Sequence, residues 1–270
     1  MRPKDVRRAL LVASTTAVQA LATERATAEA FAVPTTNPPA VVKERVAATD
    51  IEITYHRPSV KGRTIFGALV PYGHVWRTGS DNATRISIGT PLKLNRVAVE
   101  AGTYELFTIP GEKEWTVILH QDKSQWGSYS YDAANDVARV IAKPEPLGTP
   151  IETFTIDVSD IRSSSATLNI GWERTRVPIQ IDIDVRATAV PRVEAALQAP
   201  GRKPYFAAAM FYFENDLDID RAAELIAQAI AQSPDHIGML YRQALILAKK
   251  GDRAGAMAAA EKSLAGAESA

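Results

Sequence analysis

Residues 51–185 contain short runs in which every second residue is apolar. Between 154 and 158, and again between 179 and 183, apolar residues alternate with Thr, Asp or Gln. A period of two places the apolar side chains on one face of a β-strand, as in antiparallel sheets that bury one face. The runs predict nine strands, at residues 51–56, 84–88, 97–100, 103–109, 115–120, 137–142, 151–158, 166–172 and 177–185. This number of short strands predicts an antiparallel β-sandwich, with a flattened barrel as the alternative.

Beyond residue 201 the spacing of apolar residues becomes helical. It predicts four helices, at residues 205–215, 220–232, 237–249 and 253–265. Ala222 and Ala256 lie 34 residues apart, Pro234 closes the first helical pair, and Gly251 lies at a turn. A 34-residue period of paired helices resembles tetratricopeptide repeats.

Two repeats are fewer than the roughly three that a repeat array normally needs for stability. The helical module therefore has to bury an apolar face against something else. We expect that face, which includes Phe206, Met210 and Phe213, to pack against the sandwich or against another protein.

These patterns place the chain in the α+β class and divide it into consecutive parts. Pro34, Pro38 and Pro39 favour an extended segment without a helix, which we interpret as a linker. The parts are a leader (1–30), the linker (31–48), the β-sandwich domain (49–188) and the helical module (202–270).

The composition is ordinary for a soluble globular protein. The chain has 270 residues, of which 46% are hydrophobic and 23% charged. Its 31 basic and 31 acidic residues give no net charge, so we do not expect the broad basic face of a nucleic-acid-binding protein. The absence of cysteine excludes disulfides, thiolate metal sites and cysteine nucleophiles.

The leader has the outline of a secretory signal. Arg2, Lys4, Arg7 and Arg8 make it positive, and residues 9–22 are mostly small and apolar. This order of charge, apolar stretch and small residues is typical of exported proteins. We expect a periplasmic or secreted protein, with a cytoplasmic one as the alternative. No later segment reaches the roughly 18 apolar residues that a membrane-spanning helix needs, so no transmembrane span is expected.

Five motifs in the β region resemble one protein family. They are YHRPSVKGR from Tyr55, IFGALVPYGHVWRTG from Ile65, AGTYELFTIP from Ala101, WTVIL from Trp115 and the WG pair at Trp126. In combination, over residues 51–185, they resemble the domain of unknown function 2911 family. The resemblance implies an architecture and, because that family is typically bacterial and exported, a compartment. It implies no reaction.

A basic run is the main candidate for a binding site. Residues 53–80 contain four basic residues and no acidic one. A guanidinium offers five donors in a planar fork that suits carboxylate, phosphate or sulfate. Arg77 is the strongest candidate, because Trp76 and Asn82 flank it. The alternative is structural, since loop arginines in β-sandwiches also bond backbone carbonyls and buried aspartates.

The tryptophans divide between core and candidate ligand contacts. We expect Trp115 and Trp172, which lie in strands, to be core residues. Trp126 lies in the polar, tyrosine-rich segment QWGSYSYD, which is typical of a loop where an aromatic ring stacks on a sugar or another organic ligand. The predicted ligand-binding residues are Arg57, Lys61, Arg63, Trp76, Arg77, Asn82 and Trp126.

Common catalytic signatures are absent from the sequence. It has no HExxH, no glycine-rich phosphate loop and no GxSxG elbow. His56, His74 and His120 form a metal site only if the fold brings them together. Their spacing does not do so, and we therefore expect structural histidines, no metal and no cofactor.

Three functional classes stay open at this point. The first is a noncatalytic module that binds a small anionic or carbohydrate ligand, with residues 202–270 binding a protein partner. The second is an enzyme, a hydrolase or lyase, in which an arginine stabilises developing negative charge. The third is a protein-interaction scaffold, recognisable by an exposed apolar groove and the lack of a pocket in the β domain.

Overall fold

Alternating apolar residues build two antiparallel sheets, and helices follow them. The computed structural model describes residues 35–121 and 123–269. In these residues the α+β class and the sandwich-like pair of sheets are confirmed. The leader expected at residues 1–30 lies outside the described residues.

The described residues form six strands in the larger sheet and four in the smaller one. In chain order the strands are β1 (Pro39–Val46), β2 (Thr49–His56), β3 (Thr84–Ile88), β4 (Leu92–Leu94), β5 (Val97–Val99), β6 (Gly102–Ile109), β7 (Trp115–Gln121), β8 (Asp136–Ala142), β9 (Glu145–Ser159) and β10 (Ser165–Asp182). The larger sheet has the order β1-β2-β3-β6-β7-β8, and the smaller one has the order β5-β4-β10-β9.

The core lies between the inner faces of the two sheets. Ile53 of β2, Leu106 of β6 and Ile156 of β9 are at most 1% exposed and belong to one apolar cluster. Two hydrogen bonds join Tyr55 of β2 to β9 across this core. The tyrosine hydroxyl donates to the carbonyl of Ile156 at 3.2 Å and accepts from the amide of Ile156 at 3.1 Å. Burial of apolar area holds the sheets together, and the tyrosine fixes how β2 and β9 face each other.

Strand β1 lies in the segment that its prolines led us to expect as a linker. It pairs with β2 along its full length, from Pro39 opposite His56 to Val46 opposite Thr49. A proline is tolerated here because β1 is an edge strand and Pro39 is its first residue. The fold of the β region therefore begins earlier than residue 49.

Strand β10 covers two segments that the sequence pattern separated. Buried apolar side chains fall on even positions up to Trp172 and on odd positions from Val177. The change of phase coincides with register shifts on both sides of Glu173, whose φ is +53°. A bulge of this kind turns the following side chains to the opposite face, so one continuous strand has the alternation of two.

Helices α2 to α5 lie within a few residues of the four predicted helices. The described helices are α1 (Val185–Gln198), α2 (Tyr205–Glu214), α3 (Ile219–Gln232), α4 (Ile237–Lys250) and α5 (Arg253–Glu268). Asp184, Asp218 and Asp252 each cap a helix by accepting a backbone N–H. No described helix combines the length and the apolar character that crossing a bilayer requires.

Helix α1 was not predicted, because its apolar residues are spread around the helix and Pro191 lies inside it. Its Leu197 belongs to an apolar cluster formed with α2, α3 and α4, against which Phe206 and Phe213 also pack. The helical module thus has its own core, which α1 helps to close. Arg192 of α1 links the module to the β region by donating to the carbonyl of Ala48 at 3.0 Å.

Glu194 of α1 ties three helices together. Its carboxylate accepts from the Tyr212 hydroxyl of α2 at 2.7 Å and from Arg221 Nη2 of α3 at 2.8 Å. The hydrogen bond from Arg221, followed by that from Tyr212, lowers the pKa of Glu194 below its ordinary value. Burial, together with the bond to Glu194, raises the pKa of Tyr212 to about 12.

We expect acid to weaken the helical module through Glu194. Because its pKa is lowered in the folded state, its contribution to stability is complete above the unfolded pKa of about 4.3 and is lost as the pH falls through the folded value. Glu194→Gln should lower stability at neutral pH and flatten this acid dependence, as measured by circular dichroism during thermal unfolding. Glu224→Gln is the matched control, because Glu224 meets Arg221 with a side chain that is 63% exposed. An unchanged acid dependence in Glu194→Gln would contradict this assignment.

Candidate functional site

The basic run lies in a loop that contacts both sheets. Residues 57–83, here called the bridging loop, join β2 to β3. The amide of Val60 donates to the carbonyl of Glu152 in β9 at 2.8 Å, and the amide of Trp76 donates to the carbonyl of Thr108 in β6 at 2.8 Å. The loop is therefore held by the smaller sheet near its start and by the larger sheet near its end.

Five aromatic rings anchor the bridging loop in the core. Phe66 and Trp76 come from the loop, and they meet Trp115 of β7, Phe154 of β9 and Trp172 of β10. Trp76 stacks on Trp172 with 5.9 Å between ring centroids and 14° between planes. Edge contacts join the other pairs, the arrangement that aromatic rings favour. The rings fix both sheets and the loop in one unit.

A cleft of about 280 Å³ opens beside these rings. Apolar side chains form one part of its wall, and two arginines with two small polar side chains form another. The lining residues are Asn37, Pro58, Arg63, Leu69, Val70, Trp76, Arg77, Gly79, Ser80 and Trp172.

The turn that carries Arg77 has an unusual backbone. Thr78 has φ +53° and Asp81 has φ +57°, in the left-handed region that β-branched residues rarely adopt. Thr84 Oγ1 holds the turn by donating to the carbonyl of Thr78 at 2.6 Å. A side chain at Gly79 would strike the backbone, because a Cβ there would lie 3.0 Å from the carbonyl oxygen of His56. Strained backbone that the surroundings hold this firmly is a common feature of functional sites.

Arg77 is half-buried and lacks a partner for its charge. Its Nε is buried without a hydrogen bond, and no hydrogen bond or ion pair of its side chain is formed within residues 35–121 and 123–269. The guanidinium lines the cleft, and its Nη1 lies 3.6 Å from where a Cβ of Gly127 would be. A desolvated donor of this kind costs free energy until something accepts its hydrogen bond.

The other basic residues of the run have different surroundings. Arg57 is a strap, because its Nε donates to the carbonyl of Phe154 at 3.0 Å and its Nη2 to Thr155 Oγ1 at 2.9 Å. Arg63 lines the cleft while bonding the carbonyls of Val60 and Ser59 within its own loop. Lys61 is exposed and is not part of the cleft lining.

Asn82 and Trp126 lie beside the cleft rather than in its lining. They pair through their backbones in an isolated bridge. Trp126 is 62% exposed and stacks on Tyr129, which is 78% exposed, with 5.7 Å between centroids. Gly127 lies between this pair and Arg77, because a Cβ added to it would lie 2.7 Å from the Tyr129 ring and 3.6 Å from Arg77 Nη1.

Seven of the ten lining residues were not among the predicted ligand-binding residues, and Asn37, Ser80 and Trp172 are three of them. Asn37 and Ser80 both donate to Asp81 Oδ2, at 3.3 and 3.0 Å. Asn37 lies in the segment expected as linker, where no motif pointed to it, whereas Ser80 directly follows the WRTG motif. Trp172 was expected in the core, and it both packs there and lines the cleft.

The three histidines of the β region do not meet. His120 is fully buried on β7 beside Glu105, His74 is exposed with Nδ1 2.9 Å from the carbonyl oxygen of Tyr72, and His56 ends β2. Within residues 35–121 and 123–269, no group of three or more His, Asp or Glu side chains is arranged to hold a metal ion.

Two tryptophans test the division between core and surface. Trp172→Ala should lower the free energy of unfolding by about 3–5 kcal/mol, because it empties the centre of the aromatic cluster. Trp126→Ala should cost less than about 1 kcal/mol, because only its stack on Tyr129 is lost. Urea unfolding of both variants measures the difference, and equal losses would mean that the Trp126 segment is structural.

Neither curated proteins nor solved structures gave a match to this chain. A family model described as protein of unknown function, DUF2911, matches residues 37–181. The match starts at Asn37 in the cleft wall, includes the bridging loop and the aromatic cluster, and ends in β10. It covers more than half of the chain, and the protein therefore belongs to the DUF2911 family.

Proposed function

We propose that the β domain is a noncatalytic module that binds a small organic anion in the cleft, with Arg77 as the main anion-binding residue. One observation carries this proposal: Arg77 is half-buried, lines the cleft and leaves its Nε buried without a hydrogen bond. Protein groups satisfy Arg57 in the same loop, which makes the contrast informative.

The electrostatics favour an anionic ligand. A guanidinium taken out of water without a partner is costly, and a carboxylate or phosphate that binds it in a fork recovers that cost. Arg63 lines the same cleft and adds a second positive charge. Two cations and no lining carboxylate among the described residues make a site that attracts negative charge.

The shape of the cleft favours a ligand with an apolar part. Its volume of about 280 Å³ is at the lower end for small-molecule sites. Leu69, Val70 and the two stacked tryptophans supply apolar wall, while Ser80 and Asn37 supply polar groups at its edge. A compact organic acid, a phosphorylated metabolite or a sugar acid has this combination of one anionic group and an apolar or ring-shaped body.

Binding without catalysis is preferred over the enzyme and scaffold alternatives. Among the described residues no carboxylate or imidazole belongs to the cleft lining, and the neighbouring Asp81 carboxylate accepts from Asn37 and Ser80, so the lining itself offers no proton-transfer group. The scaffold alternative predicts a β domain without a pocket, and the cleft beside the aromatic rings does not fit that prediction. That residues 202–270 bind a protein partner stays a prediction.

We expect Arg77 and Arg57 to respond in opposite ways to the same substitution. Arg77→Met should keep or raise the melting temperature, because it removes an unpaired, half-buried charge, and it should abolish ligand stabilisation. Arg57→Met should lower the melting temperature through loss of its two hydrogen bonds and keep ligand stabilisation. The measurement is a thermal-shift screen of the full chain with dicarboxylates, phosphorylated metabolites and sugar acids.

The expected shift in melting temperature is large enough to separate wild type from a variant that does not bind the ligand. A ligand at 100 times its dissociation constant stabilises the native state by about 2.7 kcal/mol. Uncharged analogues of each hit serve as controls and should give no shift. If hits stabilise wild type and Arg77→Met equally, or if Arg77→Met melts as early as Arg57→Met, the proposal fails.

We also propose that this binding takes place outside the cytoplasm. The support is the positive leader that includes Arg2, Lys4, Arg7 and Arg8, followed by the mostly apolar residues 9–22. In a bacterial host the full chain should appear in the periplasm or medium with a new N-terminus between residues 20 and 30, as found by N-terminal sequencing. Uncleaved protein in the cytoplasm would contradict export, and Ala→Arg substitutions within residues 9–22 are the matched control that should block it.

A further inference from the structure

Ionisable residues form a row across four adjacent strands of the larger sheet. Arg85 of β3 pairs with Glu105 of β6, Glu105 pairs with His120 of β7, and His120 pairs with Asp136 of β8. Paired residues in antiparallel strands project to the same side of the sheet. If His120 is protonated, positive and negative side chains alternate along the row. Glu105 and His120, at its centre, are both 0% exposed.

A loop covers this row on the side of the sheet that faces away from the smaller sheet. Residues 123–135, here called the cover loop, contribute Gln125, whose amide donates to Glu105 Oε1 at 2.5 Å and whose Nε2 donates to Glu105 Oε2 at 2.6 Å. Further along the loop, the carbonyl oxygen of Asp132 lies 3.1 Å from His120 Nε2. The two buried side chains therefore bind opposite ends of the cover loop.

The contacts of His120 determine where its protons are. Nδ1 lies 2.9 Å from the carbonyl oxygen of Gln121 and 3.3 Å from Glu105 Oε2, and Nε2 faces the carbonyl oxygen of Asp132. Carbonyl oxygens accept hydrogen bonds and cannot donate them. Each ring nitrogen therefore has to donate, which requires a proton on both. With both protons in place His120 is an imidazolium, and the Glu105 carboxylate, which accepts from Gln125, lies 3.3 Å from its Nδ1.

Other charged groups around His120 are already engaged. The carboxylate of Asp136 accepts from the Tyr131 hydroxyl at 2.8 Å and from Arg139 Nε at 2.8 Å. Burial, then the contact with Asp136, raises the pKa of Tyr131 to about 12, so this hydroxyl stays a donor. The carboxylate of Asp132 caps the turn at Ala134. Arg85 lies opposite Glu105 in the sheet and has interactions of its own, and the Glu105 carboxylate lies 3.3 Å from His120 Nδ1.

We propose that a proton on buried His120 helps to fasten the cover loop to the sheet at Gln125 and Asp132 and that loss of this proton loosens the loop there. Deprotonation leaves a ring lone pair facing a carbonyl oxygen and takes a positive charge away from the buried Glu105 carboxylate, and both effects disfavour the closed loop. The closed state binds the proton and the open state does not hold it, so closure weakens as the pH rises. The cover loop also carries Gly127, which lies against Arg77. The idea that the same proton also controls the cleft rests on the proposed function. The fastening of the loop does not depend on that function.

The protonation state of His120 is directly measurable. In nitrogen-15 NMR spectra of the full chain, both ring nitrogens of His120 should be protonated at neutral pH, and one should lose its proton as the pH rises. Exposed His74 is the internal comparison. A ring nitrogen of His120 that carries no proton in the folded protein at neutral pH would overturn the proposal.

Hydrogen exchange tests the fastening itself. Above the titration midpoint, the protection of the Gln125 amide should fall about tenfold per pH unit after correction for intrinsic exchange, because one proton is linked to closure. His120→Gln should remove this pH dependence, and His74→Gln should leave it unchanged. If His120→Gln does not fold, wild type and His74→Gln still decide the question, and pH-independent protection in both contradicts the proposal.

The same exchange measurement separates this inference from the proposed function. Arg77→Met should keep the pH-dependent protection of Gln125, because Arg77 takes no part in the proton linkage. If ligands fail to stabilise the protein while the pH-dependent protection of Gln125 is intact, only the proposed function of the cleft is contradicted. If the protection of Gln125 in wild type does not depend on pH, only the inference about the cover loop is contradicted.

Discussion

The stacking of Trp76 on Trp172 is the contact on which the rest of the site depends. Trp172 belongs to the smaller sheet, while Trp76 belongs to the bridging loop and pairs through its backbone with Thr108 of the larger sheet. Both sheets and the loop are thus fixed against each other at one aromatic cluster. The next residue along the chain is Arg77, so its place at the cleft follows directly from where the Trp76 ring is held. A left-handed turn at Thr78 then directs the chain towards β3.

Two arginines of the same loop illustrate how partners decide a role. Arg57 donates to a backbone carbonyl and a hydroxyl of β9, so its guanidinium stabilises the fold. Arg77 keeps its capacity, and under the proposed function an outside acceptor would reach it through the cleft that it lines. A buried donor without a partner lowers stability. Its retention in a turn that is itself strained is understandable if a ligand supplies the missing acceptor.

The sequence predicted most of the elements, because alternation and helical spacing record burial directly. It separated β10 into two strands, since a bulge at Glu173 reverses the phase of the alternation. It missed β1, where edge prolines resemble a linker, and α1, which has no apolar face of its own.

The site was only partly predictable for a related reason. Clustered charge marked the bridging loop, but the partner of Arg57 lies 97 residues away in sequence, so no local pattern separates a strap from a binding group. Likewise, the burial of His120 against Glu105 depends on strand register and on the cover loop. Hydrophobic periodicity carries neither kind of information.

The most direct test of the central claim is the nitrogen-15 NMR signal of the Arg77 Nε–H group during titration with the anions found by thermal shift, followed beside that of Arg57. An anion bound in the cleft should shift the Arg77 signal at saturation and slow its hydrogen exchange, while the Arg57 signal, already bonded to Phe154, stays in place. An Arg77 signal that stays unchanged while the anion stabilises the protein would contradict the account, because the ligand would then bind elsewhere.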